Sequence, residues 1–171
     1  MSEQPVIDVR EFAQSNGRLA GTVAAASLAR LSELLTDDGG TVTYGISGRL
    51  DDDGSPRLLI DVSSRFAVRC QRCLGPVLQE VAARRELRFV ADPSLLPEVA
   101  DEAADVDELP TPAAMRVLDW VEEEILLALP ISPRHDEGGC RPPPNPASDS
   151  HAVVTPFARL SELGFPHQKD E

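Results

Sequence analysis

Cys70-Gln71-Arg72-Cys73-Leu74-Gly75-Pro76 holds two of the chain's three cysteines, and the third, Cys140, follows His135 by five residues. Two cysteines with two residues between them suit three arrangements. They can grip one metal ion as thiolates, cycle between dithiol and disulfide, or sit reduced at a tight turn as small apolar side chains. The redox arrangement wants the pair at a helix N-terminus, where the dipole lowers the thiol pKa. Here Leu-Gly-Pro and a strand-like run follow, which disfavours it, although Arg72 between the thiols would help to form a thiolate. The metal arrangement needs four donors. Cys70, Cys73, His135 and Cys140 supply them as a Cys₃His set, a closed site for one structural zinc ion. Such a site would pin the segment around His135 to the cysteine turn, and Gly75 suits a knuckle in which backbone amides approach sulfur. The metal and plain-turn readings both stand from the sequence.

Other chemistry is scarce. The zinc-deaminase pattern needs H-x-E ahead of P-C-x-x-C, and it is not met: His135-Asp136-Glu137 follows the cysteine pair instead of preceding it, and Arg69 stands where the proline should. There is no G-x-S-x-G elbow, no phosphate-binding P-loop and no G-x-G-x-x-G. Asp119, Glu122 and Glu123 fall on one helix face, where a solvated surface is the simpler account. His151 and His167 lie in tail segments. The sequence predicts a protein that is not an enzyme.

The elements that must position the cysteines follow from periodicity. Apolar and polar residues alternate in 41–50, in 57–70 and in 77–90, with turn residues at 51–56 and at the cysteine pair. Three such runs predict an antiparallel meander with one face buried and one wet. The opening Pro5-Val6-Ile7-Asp8-Val9 reads as a short strand, and 27–35 as a short helix capped by Ser27. Residues 91–110 are acidic, carry three prolines and read as a loop. A main helix is expected over 113–129, with Thr111 as cap, Pro112 in the first position and Pro130 as terminator. Its stripe is Ala114, Leu118, Val121, Ile125 and Leu129; Arg116, Asp119, Glu122 and Glu123 face solvent.

The expected fold is therefore α+β, an antiparallel sheet of four to six strands, curled towards a barrel and packed by one main helix. Residues 1–137 form the domain. Residues 138–171 form a Pro-rich tail whose segment at about 153–164 presents Phe157, Leu160 and Leu163 for docking. With 42% hydrophobic residues but only 4% aromatic, the core must rely on Leu, Val, Ile and Ala. The opening residues do not read as a secretory signal, and no run reaches the roughly 18 apolar residues of a membrane helix. A cytoplasmic, reducing setting is expected, with no membrane partner and no structural disulfide.

Net charge is −13, which argues against nonspecific nucleic-acid binding unless positive charge is concentrated locally. It is: seven arginines lie from Arg57 to Arg88 against Asp61, Glu80 and Glu86, whereas 92–108 holds seven acids and no base. If 57–70 and 77–90 pair with their apolar faces together, Arg65, Arg69, Arg84 and Arg88 share the wet face, with Arg72 at the tip.

An alternating strand into Cys-Gln-Arg-Cys-Leu-Gly-Pro, then Val121-Glu122-Glu123-Glu124 and its helix, Cys140, and Thr155-Pro156-Phe157 near the end make an order of parts. Over roughly 57–165 it resembles the YceD family of large ribosomal RNA subunit accumulation proteins. The family's usual Asn-Pro-Phe reads Thr155-Pro156-Phe157 here. The resemblance implies a non-enzymatic ribosome biogenesis factor acting in synthesis, processing or stability of large-subunit (23S) rRNA. Its partner is then that RNA or a pre-ribosomal particle. Read from the residues alone, the arginine face either holds rRNA phosphates or only covers the sheet with its aliphatic stems. The rival expectation is an acidic adaptor that holds a basic ribosomal protein and touches no RNA.

Overall fold

The three alternating runs become three long neighbouring strands. In a computed structural model, which describes residues 4–96 and 106–141, they are β3 (Thr41–Leu50), β4 (Pro56–Arg69) and β5 (Pro76–Val90). Before them come β1 (Val6–Ile7), α1 (Val9–Gln14), β2 (Arg18–Ala24) and α2 (Ala29–Ser32); after them β6 (Asp107–Pro110), β7 (Met115–Arg116) and α3 (Val117–Ala128). The main sheet runs β2-β3-β4-β5-β6, and β1 pairs with β7 in a separate two-stranded ribbon.

Register explains the core. Ile46 faces Ile60, Leu58 faces Leu87 and Val68 faces Val77, so the apolar sets of the three strands share one side. All six are buried, as are Phe66 and Phe89, and Val121 and Ile125 of α3 close over them. Each such side chain contributes about 1.5–3 kcal/mol relative to exposure. Trp120 meets Phe89 edge-on, with ring centroids 6.0 Å apart.

Several expectations are corrected. Only Val6 and Ile7 of the opening run are strand; a helix follows because Asp8 caps it, its side chain accepting from the Glu11 amide at 2.8 Å. Strand β2 had no counterpart in the sequence reading. The sheet is mixed rather than purely antiparallel, because β6 rises out of the expected loop and lies parallel to β5. It is open, with β2 and β6 at its edges, so the barrel does not form among the described residues.

The main helix starts later than expected. Residues 115 and 116 are taken by pairing with Val6 and Ile7, and the Val117 amide then donates to Pro5 O at 3.0 Å. Thr111 does not cap the helix; its hydroxyl donates to Val90 O. Ser27 likewise bonds Ala24 O at 2.6 Å, and α2 covers only four residues of the expected nine. Glu122, expected in solvent, is 6% exposed.

A candidate metal centre

Strand β4 carries Phe66, Val68 and Cys70 on its buried side, so alternation alone delivers the Cys70 thiol to the interior. The chain then reverses in a short turn. Cys70 N donates to Gly75 O at 2.8 Å and Leu74 N to Cys70 O at 3.0 Å, while the Arg72 amide lies 3.5 Å from Cys70 Sγ. The residue that makes the reversal is Leu74, at φ +62°, rather than Gly75. A Cβ on Gly75 would meet Cys73 Sγ at an ordinary 3.7 Å, so the knuckle does not require glycine there.

The other two donors arrive from beyond α3. Gln71 N donates to Pro133 O at 2.8 Å, which docks the post-helical segment on the turn. His135 Nε2 donates to Pro76 O at 2.8 Å, leaving the Nδ1 lone pair to face the sulfurs. A turn closed by Gly139 N to Asp136 O, with Gly138 at φ +82°, then brings Cys140 back. The first residues expected in the tail thus fold against the cysteine turn.

Cys70, Cys73, His135 and Cys140 have all their ligand atoms within 4.8 Å of one another. Cys70 Sγ is 3.7 Å from Cys140 Sγ; His135 Nδ1 is 3.4 Å from Cys73 Sγ and 3.7 Å from Cys140 Sγ. Tetrahedral zinc with Zn–S of about 2.3 Å and Zn–N of about 2.0 Å sets S···S near 3.8 Å and S···N near 3.5 Å. The spacing fits. All three cysteines are free thiols. Burial opposes the Cys70 thiolate, but hydrogen bonds from the amides of Cys73, Arg72 and His135 and from the Cys73 side chain outweigh it. Its pKa is lowered to about 5. Burial and the two neighbouring thiols push Cys140 up. A soft cation would neutralise this crowd of sulfur, and four protein donors leave no open position for a substrate.

The arginines of the hairpin are distributed differently from the cysteines. Arg57 pairs across with Arg88, and Arg69 with Pro76, so Arg88 and Arg69 sit at opposite ends of a strand pair about 40 Å long at about 3.3 Å per residue. Arg65 lies 3.4 Å from Glu80 and Arg84 3.7 Å from Asp61. Arg88 is held by Glu108 and Asp53, with Asp51 at 3.5 Å. Asp51, Asp53 and Glu108 thus add to the counter-charges of Asp61, Glu80 and Glu86 expected within the hairpin. Arg69 and Arg72 are exposed and have no ion pair among the described residues. Phe157, Leu160 and Leu163 lie outside the described residues.

Two features were missed. Arg85 occupies a buried-face position between Ala83 and Leu87, 3.4 Å from the buried carboxylate of Glu124 and 3.0 Å from Asp107. The interruption of an apolar face by arginine was a readable signal. Arg85 borders a groove of about 1130 Å³ between α3, β6 and the β3–β4 turn, lined by Trp120 and Leu127 and by more carboxylates than arginines.

No helix among the described residues is long and apolar enough to cross a membrane. Residues 58–163, which include all four cluster residues, match a family model described as large ribosomal RNA subunit accumulation protein YceD. No curated protein and no solved structure matches the chain.

Proposed function

The chain belongs to the YceD family, and on that premise we propose that it is a cytoplasmic, non-enzymatic factor in large-subunit biogenesis. It supports synthesis, processing or stability of large-subunit rRNA, within a pre-ribosomal particle. The observation that carries this reading is the family match across the β4–β5 hairpin, the main helix and the Cys₃His cluster. In this reading Cys70, Cys73, His135 and Cys140 hold one zinc ion, whose role is to lock residues 133–140 on the hairpin turn. Of the hairpin arginines expected to meet RNA phosphates, Arg69 and Arg72 have no ion pair among the described residues and in this reading make the contact, whereas Arg65, Arg84 and Arg88 each have a carboxylate in reach.

A second reading is favoured by the groove beside α3. Its lining has seven carboxylates against four arginines, three in excess, together with the 62% exposed Leu127. A basic segment of a ribosomal protein would suit it, with no RNA contact.

Depletion of the protein with quantification of both rRNAs tests the process, and low-salt capture with sequencing of bound RNA tests the contact. Large-subunit rRNA is expected to fall relative to small-subunit rRNA and to be enriched on the captured protein. An unchanged ratio after depletion refutes the reading. A fallen ratio with only protein captured favours the adaptor.

A further inference from the structure

Every residue of the metal cluster has an arginine as its chain neighbour: Arg69 before Cys70, Arg72 before Cys73, Arg134 before His135 and Arg141 after Cys140. Because the four ligand atoms lie within 4.8 Å of one another, these arginines start from one small ring, although their positions span more than seventy residues of sequence. All four are exposed. Among the described residues none makes an ion pair, and the recorded side-chain partner of Arg134 is the Ser132 hydroxyl at 3.2 Å. The contrast with the strands is plain, since Arg65, Arg84 and Arg88 each have a carboxylate in reach. The carboxylates closest in sequence to the ring are Asp136 and Glu137, two against four.

We infer that the metal-bearing tip of the β4–β5 hairpin is a phosphate-binding surface for RNA, formed by Arg69, Arg72, Arg134 and Arg141. The inference rests on the reading that the chain acts on large-subunit rRNA, and it places the contact at the tip rather than along the sheet. A chain of net charge −13 holds a polyanion only where cations are concentrated and not already neutralised. Arginine suits that place because its planar fork bonds two phosphate oxygens together. The metal gives the surface its second half. Arg69 and Arg72 belong to the hairpin, Arg134 and Arg141 to the post-helical segment, and the cluster holds the two pairs side by side.

The test is binding of the full-length protein to a labelled transcript of large-subunit rRNA across a series of KCl concentrations. R72Q/R134Q and, as a second pair, R69Q/R141Q should each bind at least about tenfold more weakly at low salt. Each should also reduce the log–log salt slope by about 1.4–1.8, at about 0.7–0.9 per lost phosphate contact. R65Q/R84Q should stay within about twofold of wild type. Zinc content and melting temperature, measured on every variant, separate loss of contact from loss of fold. Chelation of the wild type should also weaken binding and flatten its slope. The inference is overturned if both tip variants bind like wild type, or if the sheet variant loses as much as they do. If wild type does not bind the transcript while depletion still lowers large-subunit rRNA in cells, the inference is overturned and the family reading survives.

Discussion

The carboxylate of Glu122 on α3 accepts the backbone N–H of Leu31 at 3.0 Å and that of Arg30 at 2.7 Å. One helix thus caps another across ninety residues of sequence. Helix α2 has no side-chain cap of its own, and its N-terminal amides would otherwise be orphaned. The Arg30 guanidinium reaches back to Glu122 Oε2 at 3.1 Å and to Glu123 at 2.6 Å, and these hydrogen bonds raise the Arg30 pKa.

Glu122→Ala should therefore destabilise the domain by about 2–3 kcal/mol, because two amides lose a charged acceptor where water is largely excluded. Glu122→Gln keeps an acceptor oxygen and should lose about half as much. Urea denaturation at neutral pH measures both. A loss below about 0.5 kcal/mol for Glu122→Ala would mean that the trans cap contributes little.

Metal content is the next expectation. Protein purified without a histidine tag should carry one zinc per chain, and Cys140→Ser or His135→Ala should remove it. Loss of the ion should lower melting by about 10 °C, taking about 3 kcal/mol at about 2–4 °C per kcal/mol. Elemental analysis beside calorimetry decides the matter; zinc near zero, with melting unmoved by chelation, would refute the site.

Two turn residues next to the cluster separate backbone strain from packing. Gly138 has φ +82°, and a Cβ there would meet nothing within 4 Å. Gly138→Ala should therefore cost about 1 kcal/mol through the backbone alone, and it should weaken zinc affinity in a competition titration. Leu74, at φ +62°, already bears such strain, so Leu74→Gly should be neutral or slightly stabilising. A destabilisation above about 1 kcal/mol for Leu74→Gly would show that its exposed side chain matters to the fold.

The fourth expectation concerns pH. Burial raises the Glu124 pKa, Arg85 offsets part of the shift, and Asp107 and Glu123 add to it. A carboxyl whose folded pKa lies above the unfolded value of about 4.3 favours the native state most when protonated. Its contribution is full below that unfolded value and is lost as pH rises through the folded pKa. Wild type compared with Glu124→Gln should accordingly look better at pH 4 than at pH 7.5. Denaturation of both proteins across that range checks the sign, and a difference independent of pH would contradict it.

What could be read from the sequence was what repeats locally. The bounds of β3, β4 and β5 fall within a residue or so of the alternating runs, because each strand buries one face and period two records that directly. The four candidate metal donors were legible as residue types, and the structure brings them together. Strand β6 was not legible. Asp-Glu-Leu-Pro has no alternation of its own and becomes strand by pairing with β5. The ribbon of β1 with β7 is two residues long and joins residues more than a hundred apart in sequence, too short for any period. Glu122 looked solvated because helical spacing placed it beside Asp119 and Glu123; only the distant amides of α2 make its burial favourable.

Strand β6 has a further consequence. It covers residues 87–90 of β5, where Leu87, Phe89 and Val90 would otherwise present an apolar strand edge with free amides and carbonyls. The covering strand is four residues long, carries two carboxylates and ends in a proline, which has no N–H to offer an incoming chain. Along these four residues the border resists edge-to-edge aggregation, because a second molecule meets repulsion and a missing donor in place of a template. The acidic character of the stretch thus protects solubility at one border of the sheet.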